Sequence, residues 1–145
     1  MGKIALGRVI LGGLVAGILW WVFEALVHGM LCGQDFMNAM TALGKTKEQM
    51  EAGNARFMVI ITMWCFAAGI LGVWLYAAIR PRFGPGPRTA MVAGIVLWTA
   101  IYVLPSMVDY AMALWPSKLI KIPLVTSFFE SIIATTVGGW LYRET

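Results

Sequence analysis

The sequence predicts an all-α protein that crosses a membrane four times as a bundle of helices. Hydrophobic residues make up 60% of the chain and charged residues only 12%, whereas about a quarter of the residues in a typical soluble domain are charged. Four apolar segments are each long enough to cross a bilayer, which takes about 20 residues of helix. Short polar segments that contain proline, glycine and charge separate them. We therefore expect a single transmembrane domain over residues 1–145.

All four segments are expected to be helices, because lipid offers no hydrogen-bond partner for unpaired backbone groups. The second segment contains no charged residue, whereas the third contains Pro105 and Asp109 and the fourth contains Glu130. The expected spans are residues 9–31, 57–79, 89–115 and 122–142.

The connecting segments support these boundaries. Residues 80–88 read RPRFGPGPR, with three prolines and two glycines. Proline lacks the backbone donor that a helix needs, so this segment predicts a sharp stop and a tight hairpin. Residues 115–123 read WPSKLIKIP and predict a second short turn.

The loop over residues 32–56 is longer and polar, and it predicts two short helical segments. Residues 36–43 place apolar side chains on one helical face and suggest a short helix on the membrane surface, with Asp35 as its N-cap and Gly44 as its stop. Thr46 and Gln49 have the spacing of a capping box and predict a second short turn of helix.

The basic residues favour an orientation with both termini in the cytoplasm. With the N-terminus inside, six of the eleven lysines and arginines lie on the inner side, close to the helix ends. Such an excess marks the cytoplasmic side of membrane proteins. We therefore expect a multi-pass protein of the bacterial inner (plasma) membrane. The net charge of +4 comes from loop residues rather than from one basic face, so nucleic acid is not an expected partner.

Two short sequences recur and suggest that one helical hairpin is used twice. VAGI occurs at residues 15–18 and again at residues 92–95, and WLY occurs at residues 74–76 and at 140–142. Each half would then contribute two helices, related by an axis along the membrane normal. The alternative is coincidence between apolar segments of low diversity.

The stretch WLYAAIRPRFGPGPRTA, together with Glu24, Glu130 and the terminal WLYRE, resembles a group of small bacterial integral membrane proteins with four predicted helices. The resemblance covers most of the chain. It implies the four-helix topology and no activity, because no function is assigned to that group.

Ionisable residues inside the apolar segments are the candidates for function. Glu24 and His28 lie four positions apart and therefore on one helical face, and the same stripe continues through Gly17 and Gly13. A charge in mid-membrane costs about 3 kcal/mol on insertion scales, so this face is expected to pack against protein or to face water. Small residues at a four-residue spacing also let a second helix approach closely.

Counting along the helices places four polar residues in the same half of the membrane. Glu24, His28 and Asp109 are expected about 10, 5 and 9 Å from the outer ends of their helices, and Glu130 about 12 Å from its own. We therefore predict one polar intramembrane site formed by Glu24, His28, Asp109 and Glu130. Three carboxyls in one pocket are not expected to be ionised at once, so the site would suit a proton, another cation or a small solute.

A purely structural role for the same residues is the alternative. Glu24 and Glu130 would then bond hydroxyls or an indole, and Asp109 would pair with a lysine beyond the helix end. The expected partners under this interpretation are Ser127, Ser131, Thr62, a tryptophan, Lys118 and Lys121.

The sequence predicts no catalytic residue and no cofactor. There is one histidine, and the sequence contains no H-E-x-x-H, G-x-S-x-G or C-x-x-C motif. A soft metal such as Cu(I) is a further alternative, because such ions prefer thiolate and thioether ligands. Methionine is equally a flexible filler of amphipathic surfaces. The residues that would bind such a metal are His28, Cys32, Met37 and Met40.

The alternative function is that of an accessory or structural subunit. Small residues on the predicted helices would let the chain dock onto a second copy or into a larger membrane complex. Besides the lipid bilayer, the expected partner is therefore a protein. The residues expected to pack helices closely are Gly13, Gly17, Gly69, Gly72, Gly138 and Gly139.

Overall fold

A computed structural model describes residues 4–143, which form five helices and no strand. Four of these helices are long and apolar enough to cross a membrane. The predicted all-α class and its four long apolar helices are therefore confirmed. The helices are α1 (Leu6–Leu31), α2 (Gly33–Ala42), α3 (Lys47–Phe83), α4 (Pro87–Met112) and α5 (Ser117–Trp140).

The start of α3 differs from the expected boundary at residue 57. Thr46 Oγ1 accepts a hydrogen bond from Gln49 N at 3.3 Å, and Thr46 N donates to Gln49 Oε1 at 3.1 Å. The predicted capping box is present, but it begins the long helix rather than a separate turn. Gly53 does not stop the helix, because one internal glycine costs only about 1 kcal/mol. The helix ends at Phe83, past the expected stop at residue 79.

The connecting helix α2 also begins earlier than the predicted residue 36. Asp35 lies in its first turn and pairs with Lys118 at 2.5 Å instead of acting as the N-cap. Gly44 ends the helix as predicted, with φ at +83°. Lys45 N donates to Met40 O and Gly44 N to Thr41 O, which is the pairing of a Schellman motif.

Two of the long helices contain a wider π-helical turn. In α1 this turn covers Val27–Leu31, and in α4 it covers Thr99–Val103. The turn in α4 comes immediately before Pro105, whose ring would collide with the carbonyl of Ile101 in a regular helix. Insertions of this kind are frequent at functional sites. Here they contain His28 and Tyr102.

The long helices form a four-membered bundle. Helix α1 packs against α3 and α5, and α4 packs against the same two helices. Helices α3 and α5 also contact each other across the bundle. The first and second hairpins of the chain are therefore α1 with α3 and α4 with α5.

Equivalent contacts recur in the two hairpins. The glycines of the two VAGI sequences are Gly17 and Gly94. A Cβ atom added to Gly17 would lie 2.9 Å from Phe66 Cα, and one added to Gly94 would lie 3.0 Å from Ile132 Cα. Because Phe66 and Ile132 each lie ten residues before the tyrosine of their WLY sequence, both hairpins pack in the same register.

The tyrosines of the two WLY sequences connect one hairpin to the other. Tyr76 Oη accepts a hydrogen bond from Gly86 N, just before α4, and Tyr142 Oη accepts one from Ala5 N, just before α1. The two rings meet edge to face, with their centroids 6.1 Å apart. We call Tyr76 and Tyr142 the tyrosine pair. It joins the last helix of each hairpin to the start of the other hairpin.

The glycines singled out in the sequence lie between helices of this one chain. Gly69 packs against the backbone of Gly13 and Gly17, and Gly138 packs against the backbone of Gly12. Gly72 faces Thr135. The further close approaches are Gly13 with Ile70, Gly17 with Phe66, and Gly139 with Tyr76.

The long helices expose more large apolar side chains than the surface of a soluble protein does, and they enclose several polar ones. Large apolar side chains are exposed on the outward faces of the long helices, for example Ile18 at 55%, Val59 at 60% and Phe129 at 58%. Polar side chains, by contrast, are enclosed in the bundle. The buried polar residues are Glu24, Thr89, Ser127, Glu130, Ser131 and Thr135.

Candidate functional site

The side chains of Glu24 and His28 are in hydrogen-bonding contact at the end of α1. Their spacing of one helical turn brings His28 Nδ1 to 2.7 Å from Glu24 Oε2. Glu24 is enclosed by the bundle, whereas 46% of the His28 side chain is exposed. The pair therefore connects a buried carboxyl to an accessible imidazole.

Tyr102 of α4 holds the other oxygen of Glu24. Its hydroxyl donates to Glu24 Oε1 at 2.6 Å and accepts a hydrogen bond from Trp20 Nε1 at 3.0 Å. Trp64 of α3 meets both aromatic rings edge to face, at 6.4 Å from Trp20 and 5.8 Å from Tyr102. Three helices thus fix the position of the Glu24 carboxylate.

A cleft of about 240 Å³ opens beside this cluster. His28, Tyr102 and Asp109 line it, and Phe36 and Trp115 stack on each other along its wall at 5.7 Å. Within residues 4–143, no hydrogen bond or ion pair satisfies the Asp109 carboxyl group. The cleft therefore combines an unpaired carboxyl group, an imidazole and aromatic walls.

Glu130 lies apart from the cleft. It is only 1% exposed, and it is absent from the cleft lining. Helix α5 begins at Ser117 rather than at residue 122, so a rise of 1.5 Å over 13 residues places Glu130 about 20 Å along it. The structure therefore brings Glu24, His28 and Asp109 to one end and places Glu130 deeper.

Three of the partners expected under the structural alternative are engaged elsewhere. Lys118 pairs with Asp35 rather than with Asp109. Thr62 accepts from the Trp21 indole, and Ser127 accepts from the Trp98 indole. None of these three residues bonds the acidic residue to which the sequence interpretation assigned it.

Sequence reasoning did not single out Tyr102. Its position contained a signal, because Tyr102 and Asp109 are seven residues apart and so fall on one face of a helix. A phenol on the same face as an intramembrane acid is a natural hydrogen-bond donor to a second acid.

The residues considered for a soft metal do not converge. No group of three or more His, Cys, Asp or Glu side chains is arranged to hold a metal anywhere in residues 4–143. His28 and Cys32 line the cleft, whereas Met37 and Met40 do not. Burial raises the pKa of the Cys32 thiol, and the charge of Asp35 adds to this effect. The thiolate that a metal would need is therefore scarce at neutral pH.

Both cysteines are buried free thiols. Comparisons of the chain with family models, with curated proteins and with solved structures give no match. The site is therefore interpreted from its own geometry.

Proposed function

We propose that the chain is an integral membrane protein whose four long helices cross the plasma membrane with both termini in the cytoplasm. Two observations support this placement. The helices have the length and apolar composition of membrane spans. Their exposed faces are also apolar while their polar residues face inward, which is stable only where lipid replaces water.

We infer that the site at the Glu24 end exchanges protons as part of moving a small cation or solute. This proposal depends on the two contacts of the Glu24 carboxyl group. Its Oε2 lies 2.7 Å from His28 Nδ1, and its Oε1 accepts a hydrogen bond from Tyr102 Oη at 2.6 Å. A proton that enters from the cleft reaches the imidazole first, and Nδ1 then passes it to Glu24. Tyr102 keeps the carboxyl oriented in either state, because its hydroxyl still bonds a protonated acid.

Asp109 gives this site an attraction for cations. Its unpaired carboxyl group lines the cleft opposite an aromatic wall formed by Phe36 and Trp115. Aromatic faces attract cations, and the effect grows when water is displaced. A monovalent cation suits this arrangement better than a transition metal, because no three His, Cys, Asp or Glu side chains among residues 4–143 are grouped to hold a metal ion.

Proton flux into vesicles tests the proposed function. The purified protein is reconstituted into liposomes that enclose a pH-sensitive dye, and a potassium diffusion potential drives protons inward. Wild-type protein is expected to acidify the vesicle interior, and Glu24→Gln to reduce the rate at least tenfold. Glu51→Gln is the matched control, because Glu51 is an exposed carboxyl at the start of α3. Equal fluxes for wild type and Glu24→Gln would refute the proposal.

An accessory subunit is the alternative function, and the structure offers it less support. Gly69, Gly72 and Gly138 already pack against helices of the same chain, so they present no free surface for a partner. Docking would instead use the exposed apolar side chains, which lipid covers equally well.

A further inference from the structure

Four oxygen atoms on α5 are enclosed in protein without a hydrogen-bond partner among residues 4–143. They are Glu130 Oε1, Ser131 Oγ, Thr135 Oγ1 and Thr136 Oγ1. Glu130, Ser131 and Thr135 are each at most 1% exposed. Leaving a buried polar group unsatisfied costs about 1–3 kcal/mol, so several of them within two helical turns indicate a partner that is not a protein group.

Hydroxyl groups at other helical positions, including one earlier in α5, do not behave in this way. Thr62 donates to Met58 O at 2.7 Å, Thr99 to Ile95 O at 2.9 Å, and Thr126 at the start of α5 to Ile122 O at 2.9 Å. The same bond to the carbonyl four residues earlier is available to any helical serine or threonine. Ser131 and Thr135 do not form it, so their hydroxyls are available to another partner.

Three of the four unsatisfied groups, those of Glu130, Ser131 and Thr135, lie on the buried side of α5 between the two ends of the bundle. Ser131 and Thr135 are four residues apart, on one face of α5, and Glu130 precedes them. Thr135 Oγ1 faces Gly72, where an added Cβ would lie only 2.8 Å from it. One turn further, Gly139 packs against the ring of Tyr76. We call Glu130, Ser131 and Thr135 the polar column, which begins deeper in the bundle than Glu24 and leads towards the tyrosine pair.

We propose that the polar column binds a chain of buried water molecules that conducts protons between the Glu24 site and the opposite end of the bundle. This inference rests on the proposed proton exchange at Glu24. A hydroxyl and a carboxylic acid each donate and accept a hydrogen bond, as water requires, and a buried water makes about three such bonds. The Thr135 hydroxyl lies close to Gly72, so an alanine there would press directly on this group.

The transfer needs no further reactant. A proton released by Glu24 binds the nearest water, which passes one of its own protons onward, and each link breaks one O–H bond as it forms another. Glu130 accepts a proton at one carboxyl oxygen and returns to its initial protonation state when it passes a proton to the next water. One proton leaves the column for each that enters. A metal cation fits less well, because such ions take about six oxygen ligands.

Infrared difference spectroscopy tests whether water occupies the column. Wild-type protein is titrated in ordinary water and in water enriched in ¹⁸O, and the O–H stretching bands of internal water are compared. The expected result is a set of bands that shift with ¹⁸O in the wild type and disappear in the double variant Ser131→Ala/Thr135→Val. Thr99→Val is the matched control, because Thr99 already bonds its own helix. Bands that persist in the double variant would overturn the proposal.

Flux measurements test the conduction. In the vesicle assay, the double variant and Gly72→Ala are expected to lower proton flux at least tenfold, whereas Thr99→Val leaves it unchanged. Helical circular dichroism and elution volume verify that each variant is folded. A variant that is misfolded is replaced by Ser131→Ala alone, for which a threefold or greater loss is expected and an unchanged flux counts against conduction.

The two proposals fail in different ways. If Glu24→Gln abolishes flux but the column variants do not change it, proton exchange at Glu24 stands and the water chain is refuted. If Glu24→Gln does not change flux while the column variants reduce it, the proposed function fails. A wild-type flux that requires sodium would also refute the water chain in favour of a bound ion.

Discussion

Tyr102 donates a hydrogen bond to Glu24 at 2.6 Å, although the two residues are 78 positions apart in the sequence. This bond ties the third long helix to the first, and Trp20 extends it on the α1 side. The carboxyl orientation at the candidate site therefore depends on how the two hairpins pack against each other. A change at Tyr102 tests this dependence directly.

Replacing Tyr102 with phenylalanine should destabilise the protein. The change keeps the ring but removes the group that joins Glu24 and Trp20, so a buried indole N–H and a carboxylate oxygen lose their partner. The expected loss in the free energy of unfolding is about 1–3 kcal/mol, measured by denaturant titration in detergent. Tyr110→Phe is the control, because Tyr110 is 67% exposed. If Tyr102→Phe and Tyr110→Phe lower the free energy of unfolding equally, the Tyr102 hydrogen bonds do not contribute to stability.

Replacing Gly12 with alanine should disrupt the contact between α1 and α5. The added Cβ would overlap the carbonyl oxygen of Gly138, which is backbone and cannot move aside. Overpacking of this kind costs about 1–3 kcal/mol or more. Gly7→Ala is the control, because nothing lies within 4 Å of a Cβ at Gly7 in the same helix.

Thermal unfolding in detergent measures both glycine variants. Gly7→Ala is expected to match or slightly exceed the wild-type melting temperature, since alanine favours the helix over glycine. If Gly12→Ala and Gly7→Ala have the same melting temperature, helices α1 and α5 do not approach each other as closely as described.

Cys32 should react slowly with thiol reagents even though it lines the cleft. It is only 1% exposed, and burial raises the pKa of its thiol, so little of the reactive thiolate forms at neutral pH. Labelling by a maleimide, followed by mass spectrometry, is expected to be at least tenfold slower than at a cysteine placed by Ser106→Cys in the same cleft. Equal rates at the two positions would show that Cys32 is accessible.

The proposed orientation predicts which loops face outward. In a background of Cys32→Ala and Cys65→Ala, a cysteine at Lys45 should react with a membrane-impermeant maleimide on intact cells. One at Pro85, in the turn between α3 and α4, should react only after the cells are opened. The reverse pattern would place both termini outside, and labelling of both in intact cells would argue against a membrane-spanning α3.

Hydropathy was sufficient to predict the long helices, because apolar residues on their exposed faces dominate their composition. It could not locate the start of α3, since the first residues of that helix are polar and resemble a loop. The capping box at Thr46 contained the missing information. Tyr102 was also missed, because a tyrosine in a span usually indicates only an interfacial position.

The sequence placed Glu130 at the same depth as the other polar residues because the start of α5 was expected at residue 122. Its depth was counted from residue 122, but Pro123 lies within the first two turns of α5 and does not mark its start. Pro123 is the seventh residue of α5, past the four backbone donors that have no partner at a helix start, so this helix continues through an internal proline. Five residues of additional helix displaced Glu130 by about 8 Å.

The tyrosine pair and the contact between Gly12 and Gly138 lie at the end of the bundle opposite the cleft. Backbone meets backbone there, and each tyrosine fastens the beginning of a helix in the other hairpin. Any movement that widens the cleft must therefore leave this end in place. It would separate the helix ends that border the cleft and use the packed end as its pivot.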